Sequence, residues 1–201
     1  LLPADGGTAR QLTEGAFDHG NDLIFSPDGQ SLVFSANLAE DWEYQPRDSD
    51  LYQLTLKNNQ LTRLTTLAGQ ETEPVFSPDG ERLAFIWGSN AKVPFANGKL
   101  KLLQLSSGAV SDVAAKLDLD LTAPDWLNNN ELLVQYDEQG LRKVGKLSSK
   151  GQLTPLLDEL SGVGLPQPYL SGSYQHQRGV IAFTRGSAQR PADLAVWQQG
   201  K

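Results

Sequence analysis

Phe25-Ser26-Pro27-Asp28-Gly29 is the stretch that decides the fold, because the same five residues return at 76–80, fifty-one positions later. An apolar segment follows both copies, at 31–34 and at 82–85. Self-similarity with a period of about 40 to 50 residues is typical of architectures in which one small unit is stacked repeatedly. The repeat therefore indicates that the chain is built from copies of one small structural unit.

Two weaker copies extend the pattern towards the carboxyl end. The third lies at 124–134, where Trp126 aligns with Phe76 and Asn129-Asn130 aligns with Asp79-Gly80. The fourth is fainter and comprises 179–183 followed by 193–197. The chain thus holds about four units.

Each unit is predicted to form four short strands. Pro, Asp and Gly in the pentapeptide fit a type I turn between the first two strands, because Pro presets φ, Asp bonds nearby backbone and Gly tolerates the exit conformation. The third strands, at 50–56 and 99–105, alternate apolar and polar residues. With no helical stripe in evidence, the sequence predicts an all-β fold, a β-propeller of about four four-stranded antiparallel blades.

One propeller domain is expected over 1–201. Its predicted blades are at about 23–65, 72–113, 121–157 and 165–197, with an orphan outer strand at 8–13. That orphan strand either completes the last blade and closes a ring of four, or belongs to a preceding blade, and we favour the second. Because the chain also contains no Met, we expect a fragment of a larger, seven- or eight-bladed propeller.

The amino-acid composition argues against several classes of binding partner. The 201 residues are 39% hydrophobic and 20% charged, with a formal net charge of −7, and no block of Lys and Arg provides the footprint of a nucleic-acid binder. The absence of Cys excludes disulfides and a thiolate nucleophile. No apolar run approaches the roughly 20 residues that cross a bilayer. We expect neither nucleic acid nor membrane as a partner, and the composition leaves a cytoplasmic and a periplasmic location open.

The repeated pentapeptide, with the apolar strand that follows it, resembles the Pro-Asp-Gly (WD40-like) propeller repeat of two groups of proteins. One group is the prolyl-oligopeptidase-type serine peptidases, especially the acylaminoacyl and dipeptidyl peptidase branches. The other is the TolB-type periplasmic proteins. The peptidase group fits better, because Ser49-Asp50-Leu51-Tyr52 and 190–197 are similar to that group. The resemblance covers nearly the whole chain but is strongest over 1–105.

The resemblance implies that chemistry resides elsewhere, in an α/β-hydrolase domain with a Ser on a G-x-S-x-G elbow. This sequence contains no such motif, so no catalytic residue and no cofactor are expected in it. The implied role is that of a propeller that gates the access of short peptides to the missing hydrolase domain. Two alternatives stay open: a TolB-like periplasmic protein-binding propeller, and a self-contained four-bladed scaffold closed by 8–13.

One segment carries candidate binding residues. Residues 40–48 interrupt the first blade between its second and third strands, and loops on a rigid scaffold are where binding residues concentrate. The resemblance to the dipeptidyl branch implies acidic residues that hold the amino terminus of a substrate, since a carboxylate pairs with an ammonium group. The candidates are Glu40, Trp42, Glu43, Tyr44 and Arg47, with the two Glu residues as the carboxylates. A solvated loop with Trp42 packed on the blade is the structural alternative.

The remaining polar candidates are interpreted structurally. Asp28 and Asp79 are assigned to turns. His19 and His176 lack a Cys, His or acidic partner at metal-ligand spacing, so each is expected at the surface or in a loop, and no metal site is expected. An incomplete propeller exposes two blade faces, which predicts self-association through them.

Overall fold

The computed structural model describes residues 1–17, 19–89, 96–162, 171–187 and 189–198. In these ranges the chain forms fifteen β-strands and one short 3₁₀-helix, Trp42–Tyr44. The predicted all-β propeller fold is confirmed. No helix of the described part is long and apolar enough to cross a membrane.

The strands follow one another in antiparallel sheets that we call blades 1 to 4. Blade 1 contains β1 (Asn21–Phe25), β2 (Ser31–Ala36), β3 (Asp50–Thr55) and β4 (Gln60–Arg63). Blade 2 contains β5 (Gln70–Phe76), β6 (Arg82–Gly88), β7 (Lys99–Gln104) and β8 (Ala109–Asp112). Blade 3 contains β9 (Leu121–Asn128), β10 (Glu131–Glu138), β11 (Leu141–Ser148) and β12 (Leu153–Leu160).

Blade 4 is shorter, because its described part has three strands. These are β13 (Tyr174–Gln177), β14 (Val180–Ser187) and β15 (Arg190–Gln198). One pair of residues, Leu160 and Arg185, joins β14 to the outer strand of blade 3. The predicted start of this blade at 165 lies outside the described residues, so that boundary stays a prediction.

The repeated pentapeptide forms the expected turn in both blades. The hydroxyl of Ser26 donates to Asp28 Oδ1 over 2.6 Å, and the backbone N–H of Gln30 donates to the same oxygen over 3.0 Å. Ser77 and Asp79 repeat this arrangement at 2.5 Å. Gly29 and Gly80 close the two turns with φ of 67° and 72°, a conformation that favours glycine. The turn assignment of both Asp residues is confirmed.

The orphan strand predicted at 8–13 is wrong, because these residues form no strand. Arg10 instead exchanges two backbone hydrogen bonds with Leu1, both of 2.8 Å, and Leu12 packs against the apolar cluster of blade 1. A strand needs a free sheet edge, and Arg10 bonds instead to Leu1 and, through its guanidinium, to the carbonyl of Leu56. It does not pair with β15 in the described structure, so the ring closure considered for the four-bladed scaffold is not formed.

The first strands of successive blades are linked by a repeated device. Asp22, Glu73 and Ala123 lie one repeat apart, and all three have a left-handed backbone, with φ of 58°, 53° and 48°, at a bulge in the strand. The Asp22 carboxylate accepts from the N–H of Glu73 over 3.1 Å, and the Glu73 carboxylate accepts from the N–H of Ala123. Tyr174 continues the series with a 2.6 Å hydrogen bond from its hydroxyl to the Ala123 carbonyl. Bulges re-aim the chain locally, and those of blades 2 and 3 present a backbone N–H to the carboxylate of the preceding blade.

The interpretation of His176 as a surface or loop residue is also wrong. It lies in β13 with its side chain 11% exposed, and its Nδ1 is 3.5 Å from a carboxylate oxygen of Asp125. Local spacing could not reveal this partner, because Asp125 is fifty-one residues away on the preceding blade. His19 lies outside regular secondary structure, as expected.

Candidate functional site

The predicted binding segment is a folded loop that supports itself. The side-chain amide of Asn37 donates to the carbonyl of Gln45 over 2.9 Å, which ties the two ends together. Gln45 in turn donates to the Asp41 carboxylate over 2.6 Å, and the short helix Trp42–Tyr44 lies between them. The loop therefore presents its side chains from a fixed frame, as a binding loop requires.

A cavity of about 360 Å³, lined by both polar and apolar groups, lies under this loop, between blades 1 and 2. We call it the 1–2 cavity. It is bounded by the start of β1, the end of β2, the residues before β3 and the start of β5. The side chains with the most evident binding chemistry among its lining residues are Asp22, Trp42, Arg47, Asp48 and Thr72.

The two carboxylates of the 1–2 cavity are held by backbone groups of blade 2. Asp48 Oδ1 accepts from the N–H of Gly69 over 2.7 Å, and Asp22 Oδ2 accepts from the N–H of Glu73. Each carboxylate thus uses one oxygen in a bond between blades. Arg47 forms no ion pair with any residue in the described ranges. Two carboxylates, a guanidinium and an indole together can bind a group that carries both charge and apolar surface.

The five predicted residues do not all come together. Trp42 and Arg47 line the 1–2 cavity. Glu40, Glu43 and Tyr44 are exposed and lie outside its lining, with Tyr44 86% exposed. The role of these three residues in binding stays a prediction.

Two carboxylates of the cavity were not among the predicted site residues. Asp48 is the last residue of the predicted segment but was not chosen as a binding candidate, and Asp22 lies one repeat before Glu73 in the sequence. The signal that could have found Asp22 is the repeat itself, because it places 22 and 73 on adjacent first strands. The predicted residues all lie in one loop, whereas the lining of the cavity comes from two blades.

A buried acid lies beside the 1–2 cavity. Glu71 is fully buried in β5, between the cavity-lining residues Gln70 and Thr72. Its carboxylate accepts hydrogen bonds from the Thr65 hydroxyl and from the N–H of Leu67, the latter over 3.1 Å. Burial raises the pKa of Glu71 to about 7, because desolvation penalises the charged form more than these hydrogen bonds favour it.

Comparison with known proteins places the sequence in a recognised family. The model of the dipeptidyl peptidase IV (DPP IV) N-terminal region matches residues 1–84 and 26–137. Together the two matches cover more than half of the chain. They include the Pro-Asp-Gly turns of blades 1 and 2 and the first strand of blade 3.

Individual relatives point to the same fold. The chain is 26% identical over 162 residues to a protein TolB homolog of Chlorobium chlorochromatii, covering 79% of this chain and 34% of that protein. A Mycobacterium tuberculosis puromycin-hydrolyzing peptidase superposes with a TM-score of 0.68 and 20% identity, over 91% of this chain and 30% of that one.

A third likeness is to a structure that consists of a propeller domain. The β-propeller domain of the Trilobed protease from Pyrococcus furiosus superposes with a TM-score of 0.58 and 15% identity, over 94% of this chain and 57% of that one. The chain thus spans about a third of the curated relative and less than two thirds of each of these structures.

Proposed function

This chain belongs to the family of the dipeptidyl peptidase IV N-terminal region, and we propose that it is the non-catalytic propeller part of a serine peptidase that cleaves short peptides. In this role it gates the access of substrate to an α/β-hydrolase domain that the sequence does not contain. The observation that carries the proposal is the family match over 1–137. The structural likeness to a puromycin-hydrolyzing peptidase supports it.

We further propose that the 1–2 cavity contributes to substrate selection. Trp42 and Arg47 line it from the loop, while Asp22 and Asp48 line it from the ends of the strands. A carboxylate can bind a peptide ammonium group, a guanidinium can bind a carboxylate, and an indole can cover an apolar side chain. Glu40, Glu43 and Tyr44 are proposed as outer contacts, since they are exposed on the same loop.

The test uses the full polypeptide that contains this chain. The sequence encoded after Lys201 should contain a G-x-S-x-G motif followed by Asp and His partners. The purified protein should hydrolyse short chromogenic peptides and leave a folded protein of similar sequence intact. A downstream sequence without that motif, or equal cleavage of folded and short substrates, would contradict the proposal.

A second measurement addresses the cavity. Arg47→Ala should raise KM for a short peptide about tenfold with little change in kcat, because a binding contact is lost and the chemistry is untouched. Lys57→Ala, in the exposed turn between β3 and β4, is the matched control and should leave both constants unchanged. If Arg47→Ala has no effect on KM, the cavity does not hold the substrate, although the gating role could still stand.

A TolB-like protein-binding propeller is the second candidate. The 26% identity to a TolB homolog favours it. On this alternative the full polypeptide has no hydrolase motif downstream and no peptidase activity. It would instead bind protein partners, and a pull-down with the purified full polypeptide would distinguish the two functions.

We also propose that the isolated chain self-associates through its two end blades. Phe25 is 53% exposed on β1, whereas its equivalents in the next two blades, Phe76 and Trp126, pack against the preceding blade. At the other end, Leu194 and Val196 on β15 are 78% and 65% exposed. A second copy can cover both faces, because each face lacks the neighbour that the repeat supplies elsewhere. Light scattering should show a dimer at high concentration, and a monodisperse monomer would contradict this.

A further inference from the structure

The same position of the repeat is occupied by three different rings at the three junctions between blades. Phe76, Trp126 and His176 each lie near the end of a first strand, and they pair with Leu83, Leu132 and Ile181 respectively. Each ring lies on the side of its strand that faces the preceding blade. The repeat therefore allows a direct comparison of how each junction is filled.

At the junction of blades 2 and 3 the space is filled by an indole. Trp126 is only 6% exposed and donates from Nε1 to the carbonyl of Val75 over 3.2 Å. The guanidinium of Arg82 lies over its ring, 5.1 Å from the centroid. An apolar floor, one hydrogen-bond acceptor and a cation above the ring thus form a complete indole site.

At the junction of blades 3 and 4 the corresponding space is a cavity of about 350 Å³, which we call the 3–4 cavity. The smaller imidazole of His176 stands where the indole would be. Apolar walls come from Leu127, Leu156, Ile181 and Trp197, and the polar side is formed by an ion pair between Lys146 and Glu131 with an N–O distance of 2.9 Å. This cavity and the 1–2 cavity lie at opposite ends of the strands.

We propose that the 3–4 cavity binds an electron-rich aromatic ring, of the indole or phenol class, supplied by a small molecule or by a peptide side chain. The walls provide the apolar surface that a ring requires, and a volume of about 350 Å³ leaves room for one beside the imidazole of His176. Glu131 is the first residue of β10, as Arg82 is the first residue of β6. The cation that lies over Trp126 is therefore replaced in the 3–4 cavity by the ion pair of Glu131 with Lys146. The Lys146 ammonium group can lie over a bound ring. This inference is independent of the proposed peptidase function.

The first test places in the 3–4 junction the tryptophan that fills the junction of blades 2 and 3. Indole is titrated into the purified chain and followed by isothermal titration calorimetry and by ligand-observed NMR. His176→Trp places an indole on β13 at the position equivalent to that of Trp126 on β9. We expect this variant to bind free indole at least about tenfold more weakly, because its own ring occupies the same space. Gln175→Trp, on the exposed side of the same strand, is the matched control and should bind indole like the parent chain.

The second test does not depend on how His176→Trp packs. Lys146→Met keeps the length of the side chain but removes the cation, and it should weaken indole binding about two- to fivefold. Cyclohexanol, which is not aromatic, should bind to the parent chain more weakly than phenol does. It should bind equally to the parent chain and to the Lys146→Met variant. Free indole and a blocked Gly-Trp-Gly peptide are compared to distinguish a small molecule from a peptide side chain.

Several outcomes would overturn the proposal. These are the absence of saturable binding by indole and by the blocked peptide, an unchanged affinity in a folded His176→Trp chain, and cyclohexanol binding as tightly as phenol. Tighter binding of the peptide than of free indole would support the proposal and assign the cavity to a peptide side chain.

Discussion

The junction between blades 1 and 2 and the junction between blades 3 and 4 occupy equivalent places in one repeat, yet they differ in chemistry. The first buries Glu71 and is linked by carboxylates that accept from backbone N–H groups. The second is linked by the hydroxyl of Tyr174 and by the pair of His176 with Asp125, and it contains an apolar cavity. The strand pairing differs as well, because β12 pairs with β14 across the second junction, whereas the first has an isolated bridge between Ser49 and Gln70. The two junctions therefore differ both in strand pairing and in the filling of the space between the blades.

This difference separates two kinds of information in the sequence. Turn residues and strand periodicity determine that a blade forms; they are closely repeated in blades 1 and 2 and more weakly in blades 3 and 4. The residues between blades only have to fill the gap at native density and satisfy their hydrogen bonds. They can therefore diverge, and binding sites can arise where filling is incomplete.

The largest expected effect compares equivalent core positions at the two junctions. Leu83 is fully buried in the cluster shared by blades 1 and 2, and Ile181 is 1% exposed but borders the 3–4 cavity. Leu83→Ala should lower the free energy of unfolding by about 3 to 4 kcal/mol, and Ile181→Ala by about 2 kcal/mol, because a side chain beside a cavity has fewer contacts to lose. Urea denaturation measures both. Equal losses would mean that the 3–4 junction is as well packed as the 1–2 junction.

The next effect is a pH dependence that belongs to the 1–2 junction. The pKa of Glu71 is raised from 4.5 to about 7 by burial, so the unfolded chain releases this proton at lower pH than the folded chain does. Stability is therefore highest when Glu71 is protonated and falls as pH rises from about 4.5 to 7, by up to about 3 kcal/mol. The free energy of unfolding should be measured from pH 4.5 to 8.

Glu71→Gln isolates this contribution, because two partly buried acids also have raised pKa values. Burial raises the pKa of Glu73 and of Asp125 as well. The variant should show a smaller decline of stability with pH than the parent chain. The matched control is Glu40→Gln, at an exposed position, which should retain the full decline. Parallel curves for Glu71→Gln and the parent would show that Glu71 is not the group responsible.

A smaller and pH-independent effect is expected at the blade 3–4 junction. Tyr174 is 6% exposed, and its hydroxyl donates to the Ala123 carbonyl over 2.6 Å. Desolvation holds the pKa of Tyr174 well above its usual value, so the hydroxyl stays protonated over the working range. Tyr174→Phe should lower the free energy of unfolding by about 1 to 2 kcal/mol at every pH from 5 to 8. A loss that varies with pH would show that this link is coupled to the neighbouring acids.

The fold was predictable from the sequence because its determinants are local and repeated. In the first turn the Ser26 hydroxyl donates to Asp28, two residues on, and to the carbonyl of Ser31, five residues on. The Ser77 hydroxyl makes the same contacts in the second turn. The segment 8–13 shows the limit of this approach. It resembles residues 63–65, the end of the outer strand β4 and the two residues after it, but a strand forms only where a sheet edge is available, and sequence similarity carries no information about that edge.

The candidate sites were less predictable, because they are assembled from different blades. Trp42 and Arg47 were found since they share one loop, whereas Asp22 contributes to the same cavity from a strand that begins before the turn. His176 and Asp125 are an even clearer case, because each looks isolated in the sequence. Superposing the repeats would have paired them, since positions one period apart are neighbours on adjacent blades.

The smallest expected effect concerns the Pro-Asp-Gly turns of blades 1 and 2, which should behave alike because they form the same contacts. Asp28 and Asp79 are exposed and accept from a Ser hydroxyl and from a backbone N–H, and these bonds lower the pKa of both carboxyls. A lowered pKa contributes stability at neutral pH that is lost as pH falls through the folded pKa, which is opposite in sign to Glu71. Asp28→Ala and Asp79→Ala should each lower Tm by about 1 to 3 °C at pH 7 and by less at pH 3. Because the turns bond locally, the two decrements should agree, and a much larger loss for Asp79→Ala would mean that its neighbour Asn129 of blade 3 depends on that turn.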